Sequence, residues 1–271
     1  MSNQKPIGVF DSGIGGLTVA KAISDALPDE RLIYFGDTAH FPYGDKEKSS
    51  IVKYCHEIVD FLLTFDCKAI VIACNTASSA CVNSLREELP EGFPLINVIS
   101  PVVDYLTSQD NKNKVGVIAT KGTINSRVYP NLIKKKNDSI NVASTATPLL
   151  APMIEEGFFS NNISKSIIAS YLSKSNILDI DTLVLGCTHY PIIEEEIKSY
   201  YTAERKHVEV VNSAKIVAEK VKQTLTSSGI LSASKIEDHL FFVSDYTSSF
   251  EKSSKIFFGE TVKLTKKHLW K

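Results

Sequence analysis

Two of the five cysteines stand in the same local context. Cys74 closes the apolar run Ile70-Val71-Ile72-Ala73 and precedes Asn75-Thr76-Ala77-Ser78-Ser79; Cys187 closes Leu183-Val184-Leu185-Gly186 and precedes Thr188-His189-Tyr190-Pro191. A strand-like run followed by polar capping residues opens a helix, and Pro191 suits a first helical position. Each thiol is therefore expected near a helix N-terminus, where free N–H groups and the dipole stabilise an anion and lower a thiol from its usual value of about 8.5. The same N–H groups can hold a substrate carboxylate. Two such thiols facing each other can remove a proton from one face of a carbon and return one to the other, which inverts a stereocentre. Cys55, Cys67 and Cys81 lack the polar context and read as small buried hydrophobes.

Asp11-Ser12-Gly13-Ile14-Gly15-Gly16 is a strand-to-helix turn whose glycines allow close backbone approach and whose Asp and Ser can bind an ammonium or a carboxylate. It has neither the lysine of a P-loop nor the GxGxxG spacing. The six histidines, at 40, 56, 189, 207, 239 and 268, show no metal-ligand spacing, so no metal site is expected. No lysine is singled out for a Schiff base, so no organic cofactor is expected either. A thiol hydrolase built on Cys187 and His189 is an alternative that leaves Cys74 without a role. A non-enzymatic binding protein with two lobes around a cleft is another.

The elements that must carry these residues follow from the hydrophobic pattern. Short Val/Ile-rich runs at 7–10, 32–35, 69–73, 95–99, 114–119 and 183–185 suit strands buried on both faces of a parallel sheet. Helix-length amphipathic segments lie between them, for example 16–27, 49–65, 78–89 and 163–173, which implies βαβ units. The chain also repeats itself weakly: 7–13 resembles 115–122, and 70–76 resembles 183–189, in the same order. We therefore expect an α/β fold of two similar open, mainly parallel-sheet domains facing each other across an active-site cleft. The first comprises 1–98 with about 212–271 and carries Cys74; the second comprises about 99–211 and carries Cys187. Ligands bind outside the carboxyl ends of parallel strands, which directs both thiols into one cleft. With 271 residues, 43% of them hydrophobic, such a core is affordable, while a formal charge of −1 gives no case for a nucleic-acid partner. The run Lys134-Lys135-Lys136 and the pair Lys266-Lys267 read as solvated faces. No stretch reaches membrane-span length, the N-terminus is not of signal-peptide type, and an odd cysteine count without CxxC suits reduced thiols in the cytoplasm.

Taken together, the motifs resemble those of the glutamate racemases, within the cofactor-independent aspartate/glutamate racemase superfamily. They are Asp11 to Gly16, Gly36-Asp37-Thr38-Ala39 with Pro42-Tyr43-Gly44, Ala73 to Ser78, Pro148-Leu149 through Glu155-Glu156-Gly157, and Gly186 to Pro191, spread over almost the whole chain. The resemblance implies that Cys74 and Cys187 are the two bases, the first acting on D-glutamate and the second on L-glutamate. It implies that Asp11, Ser12, Tyr43, Gly44, Asn75, Thr76, Thr188 and His189 bind substrate, with Thr120 and Thr123 joining the carboxylate set. Asp37 and Glu155 match groups that assist proton handling; His189 is expected to assist Cys187, and Asp11 or Asp37 to assist Cys74. A homodimer and a role in peptidoglycan synthesis are implied as well. His40 stands where arginine is common, which is expected to alter the entrance, and the stretch from about Ser232 is divergent.

Overall fold

In the computed structural model, which describes residues 3–109, 113–234 and 237–270, the apolar runs are strands. They are β1 (Ile7–Asp11), β2 (Leu32–Gly36), β3 (Ala69–Ile72), β4 (Leu95–Asn97), β5 (Lys114–Ala119), β6 (Asn141–Ala146), β7 (Thr182–Gly186), β8 (Glu209–Val211), β9 (Leu240–Val243) and β10 (Leu264–Lys266). One six-stranded sheet runs β10-β9-β2-β1-β3-β4 and one four-stranded sheet runs β6-β5-β7-β8, with every described pairing parallel. The order β2-β1-β3-β4 recurs as β6-β5-β7-β8, so the weak internal repeat is a repeat of topology: β5 stands where β1 does, and β7 where β3 does. Both orders reverse at the central strand, and the crevice beside such a reversal is where open α/β sheets bind ligands. Asp11 and Cys74 leave the first sheet at its reversal, and Thr120 and Cys187 leave the second.

The inner strands β1, β2 and β3 are almost wholly apolar because each face of the large sheet is covered there. Side chains alternate by two. Ile7, Val9, Leu32, Tyr34, Ala69 and Val71 enter one core, while Phe10, Ile33, Phe35, Ile70 and Ile72 enter the other. The first core continues into the four-stranded sheet through Val115, Val117, Leu183 and Leu185 and includes Val217 and Val221 of helix Ser213–Ser227. That helix packs on helix Leu17–Ala26, and the following β9 pairs with β2. The second core is roofed by helices Lys48–Leu63 and Asn75–Glu88, whose Cys55 and Cys81 are buried, as is Cys67.

β6, β8, β9 and β10 have no counterpart among the sequence-expected runs. β6 is a polar edge strand (Asn141-Val142-Ala143-Ser144-Thr145-Ala146) mostly half-buried, so it lacks the apolar signature. β8 and β10 are three-residue strands, both at sheet edges. Lys134 to Lys136 and Lys266-Lys267 are exposed, as their composition implies.

The sheet end opposite the cysteines is fastened by a buried ion pair. Lys68 Nζ lies 2.7 Å from Glu30 Oε2, with both side chains almost wholly buried. The ammonium also donates to Asn3 O at 2.6 Å, Ile230 O at 2.7 Å and Ser232 Oγ at 3.0 Å, while Glu30 accepts from Ser232 N at 2.8 Å. Breaking one partner of a buried pair strands the other charge, so Lys68→Ala is expected to lower unfolding free energy by about 3–5 kcal/mol in urea titrations.

Candidate active site

The turn after β1 is built on Asp11. Its Oδ2 accepts from Gly13 N at 3.1 Å and Gly16 N at 3.0 Å, while its buried Oδ1 has no hydrogen-bond partner among the described residues. Burial raises the Asp11 carboxyl above its ordinary 3.8, against the pull of His189 and the two amides. Gly15 allows contact between the lobes, and Gly16 allows the turn to close on Asp11. A Cβ on Gly15 would lie 2.3 Å from the His189 ring, and one on Gly16 2.4 Å from Asp11 Cβ. Thr18 Oγ1 completes the contact by donating to Thr188 O at 2.8 Å.

Cys74 caps helix Asn75–Glu88 with its own sulfur, which accepts from Ala77 N at 3.4 Å. The helix therefore begins three residues earlier than its apolar pattern suggests. The thiol lies 3.5 Å from Ser12 Oγ. The expected lowering by the helix terminus is reversed: burial, then the neighbouring Asp11, push Cys74 up to about 12, and the Ser12 and Ala77 contacts only moderate this. Desolvation of a thiolate outweighs one amide and one hydroxyl.

Cys187 is not a helix cap. A turn and a short 3₁₀ segment, Tyr190–Ile193, separate it from helix Glu194–Ala203. Its partner is a side chain instead. His189 Nδ1 lies 3.7 Å from the Cys187 sulfur, and His189 Nε2 lies 2.7 Å from Glu155 Oε1 at the end of helix Leu150–Glu155. Burial alone would lower the imidazolium; the sulfur and the carboxylate outweigh it and raise His189 to about 10.

Both cysteines line one cavity of about 650 Å³, open mouth included. Ser12, Tyr43, Gly44, Asn75, Thr76, Thr120, Thr188 and His189 line it too. Asn75 is oriented by Tyr129 OH, which donates to its Oδ1 at 2.8 Å, and the buried Nδ2 has no hydrogen-bond partner among the described residues. Thr76 Oγ1 joins the lobes, 2.9 Å from Thr120 Oγ1 and 3.3 Å from Thr123 Oγ1. Thr123 thus backs the wall rather than forming it. Asp37 is also kept off the cavity. It accepts from Tyr43 OH at 2.6 Å and Ser244 Oγ at 2.8 Å and sits 2.9 Å from His40 Nδ1, so it positions Tyr43 instead of serving Cys74. His40 is not among the lining residues and stands behind Tyr43 through Asp37. Sequence reasoning missed Phe41, Asp45, Lys121, Thr147, Ala151 and Pro152 as lining residues. Phe41, Asp45 and Thr147 flank motifs already noted, Lys121 lies between Thr120 and Thr123, and Ala151 and Pro152 fall within 148–157, but nothing in the sequence alone places them on the cavity. At the mouth Lys121 faces Asp45 across the lobes at 3.6 Å, both exposed, a pair worth little by itself.

The fold and the site are those of an amino-acid racemase, an isomerase. The chain belongs to the Asp/Glu/hydantoin racemase family, whose model matches residues 14–221. Among the similar proteins are glutamate racemases. The curated one from Neisseria meningitidis serogroup C is 40% identical over 263 residues, covering 97% of this chain and 96% of that protein. The crystal structure from Francisella tularensis, in complex with D-glutamate, has 38% identity and a TM-score of 0.90, covering 98% of both chains. The Bacillus anthracis structure, 36% identical, has the same score and coverage.

Because its two neighbours hold the proton on His189, Glu155→Gln is expected to bring the His189 titration down from about 10, as followed by NMR of the imidazole. The sign for stability follows. The proton gained from those neighbours contributes fully below the ordinary 6.5, and the contribution disappears as pH rises through about 10.

Proposed function

We propose that this enzyme interconverts L- and D-glutamate, with Cys74 and Cys187 as the two bases on opposite sides of the α-carbon. The observation that carries the reading is that two thiols, from topologically equivalent strand ends of two lobes, line one cavity. The D-glutamate in the Francisella relative supports the substrate. So do the unpaired buried atoms: Asn75 Nδ2 is a donor awaiting a carboxylate, and Asp11 Oδ1 is an acceptor awaiting an ammonium. Ser12, Thr76, Thr188, His189 and the Tyr43-Gly44 wall complete the binding set, with Thr120 beside Thr76.

In this reading the Cys187 thiolate takes the α-proton of L-glutamate while the Cys74 thiol gives its proton to the opposite face; D-glutamate reverses the roles. His189, protonated to about 10 and backed by Glu155, neutralises charge on the Cys187 sulfur. Cys74, pushed up to about 12, keeps its proton until the opposite carbanion develops, and in the reverse direction is the stronger base for being so. Both transfers use protein thiols, so activity is expected to survive chelators. The Cys187–His189–Glu155 array would also suit a thiol hydrolase, but such an enzyme has no use for Cys74; ammonia release from amides is expected to be absent. The D-glutamate would serve peptidoglycan synthesis in the cytoplasm.

Circular dichroism of either glutamate enantiomer with purified enzyme should decay to zero; no decay sinks the proposal. Cys74→Ala and Cys187→Ala should each lose racemisation by about 10²–10⁴-fold or more, the usual scale for removing a proton-transfer group. In heavy water, Cys187→Ala should still exchange the α-proton of D-glutamate only, and Cys74→Ala that of L-glutamate only. Near-normal racemisation by either variant overturns the two-base mechanism. The homodimer belongs to the same reading, and light scattering should return twice the 29.9 kDa chain mass.

A further inference from the structure

The wall of the cavity formed by Phe41, Tyr43 and Gly44 is held from behind by a ring cluster that ends in the chain's single tryptophan. Trp270 lies edge-on to the His40 ring, centroids 4.4 Å apart, and 5.7 Å from Tyr54. Tyr54 covers a face of His40, stacked at 4.0 Å with an interplanar angle of 16°, so the three rings meet one another. So fixed, His40 presents Nδ1 to both Asp37 oxygens, at 2.9 and 3.0 Å. A carboxylate only accepts, so Nδ1 carries the hydrogen. Asp37 in turn accepts from Tyr43 OH, and burial followed by Asp37 raises that phenol well above its ordinary range, so it stays a donor. Rings packed only to fill a core would have no polar line running to the cavity.

We propose that Trp270 is a positioning residue for substrate binding: by packing edge-on against the stacked His40 and Tyr54 rings it keeps His40 on Asp37 and Asp37 on Tyr43, and so fixes the wall at residues 41–44. The inference rests on reading the cavity as the glutamate site. It assigns a task to the divergent C-terminal stretch and to His40, whose imidazole supplies the link.

The test is steady-state racemisation of both enantiomers by wild type, Trp270→Ala, Trp270→Phe, His40→Phe and the Trp270→Ala/His40→Phe double variant, with thermal melting of each. His40→Phe keeps a ring beside Tyr54 and Trp270 but deletes the bond to Asp37. Trp270→Ala and His40→Phe should each raise KM about tenfold with kcat held within about threefold, the signature of lost binding rather than lost chemistry. Trp270→Phe should restore KM, and the double variant should be no worse than the worse single one, since both act through one link. Titrating D-glutamate into wild type should change the Trp270 emission, and His40→Phe should abolish that change. If wild type racemises glutamate while Trp270→Ala and His40→Phe both keep KM within about twofold, the positioning role is wrong, whatever happens to melting. If wild type does not racemise glutamate, the functional reading fails and this inference with it.

Discussion

The 2.7 Å contact between His189 Nε2 and Glu155 Oε1 is the interaction that the rest of the site is arranged around. A buried imidazole ordinarily sheds its proton, because desolvation penalises the charged form. Here a carboxylate on one ring nitrogen and a sulfur on the other reverse that preference. The pair makes demands on distant parts of the chain. Helix Leu150–Glu155 must end where it does, Gly15 must lack a side chain so the ring can lie against the first lobe, and Thr18 must meet Thr188 O. A glycine-rich turn with the look of a phosphate loop is thus a bearing surface for a histidine from the other lobe.

The two lobes repeat a topology but not an environment. β3 and β7 end at equivalent places, yet Cys74 caps a helix beside a carboxylate, while Cys187 lies in a turn beside a histidine. A racemase needs opposite protonation states on its two bases at the start of each half-reaction, and strictly equivalent surroundings could not provide them. Burial and then Asp11 raise one sulfur, and His189 stands ready to compensate the other, so the departure from symmetry has a chemical use in the proposed mechanism.

Much of this was legible in the sequence. The two buried central strands of each sheet announce themselves because strands covered on both faces are apolar without interruption, and the cysteines at their ends are polar-flanked. Polar or very short edge strands such as β6, β8 and β10 carry no such signal. The lining residues contributed by Phe41, Ala151 and Pro152 were hidden for a different reason: their contribution is shape, which depends on how the lobes meet. Electrostatics was the least legible. The position of Cys74 at a helix start points to a lowered thiol, and only three-dimensional burial next to Asp11 turns the shift upward. Asp37 illustrates the same limit, since its neighbours in sequence suggest chemistry while its partners in space make it a support for Tyr43.

The division between the two ends of the large sheet explains how such a site can be tolerated. At the carboxyl ends lie polar atoms without partners, Asp11 Oδ1 and Asn75 Nδ2, and a thiol held far from its ordinary value, all of which cost stability. At the amino ends, Lys68 and Glu30 are buried with their hydrogen-bonding capacity largely used, and they gather residues 3, 230 and 232 around the starts of β2 and β3. Between the ends, an uninterrupted apolar core joins both sheets through helix Ser213–Ser227. Asp11 Oδ1 and Asn75 Nδ2 thus stand at the sheet end that carries the cavity, where a zwitterionic substrate of the proposed kind can satisfy them. A ligand that does so stabilises the folded state by mass action, which makes the groups that cost most in the protein alone the ones that favour substrate most.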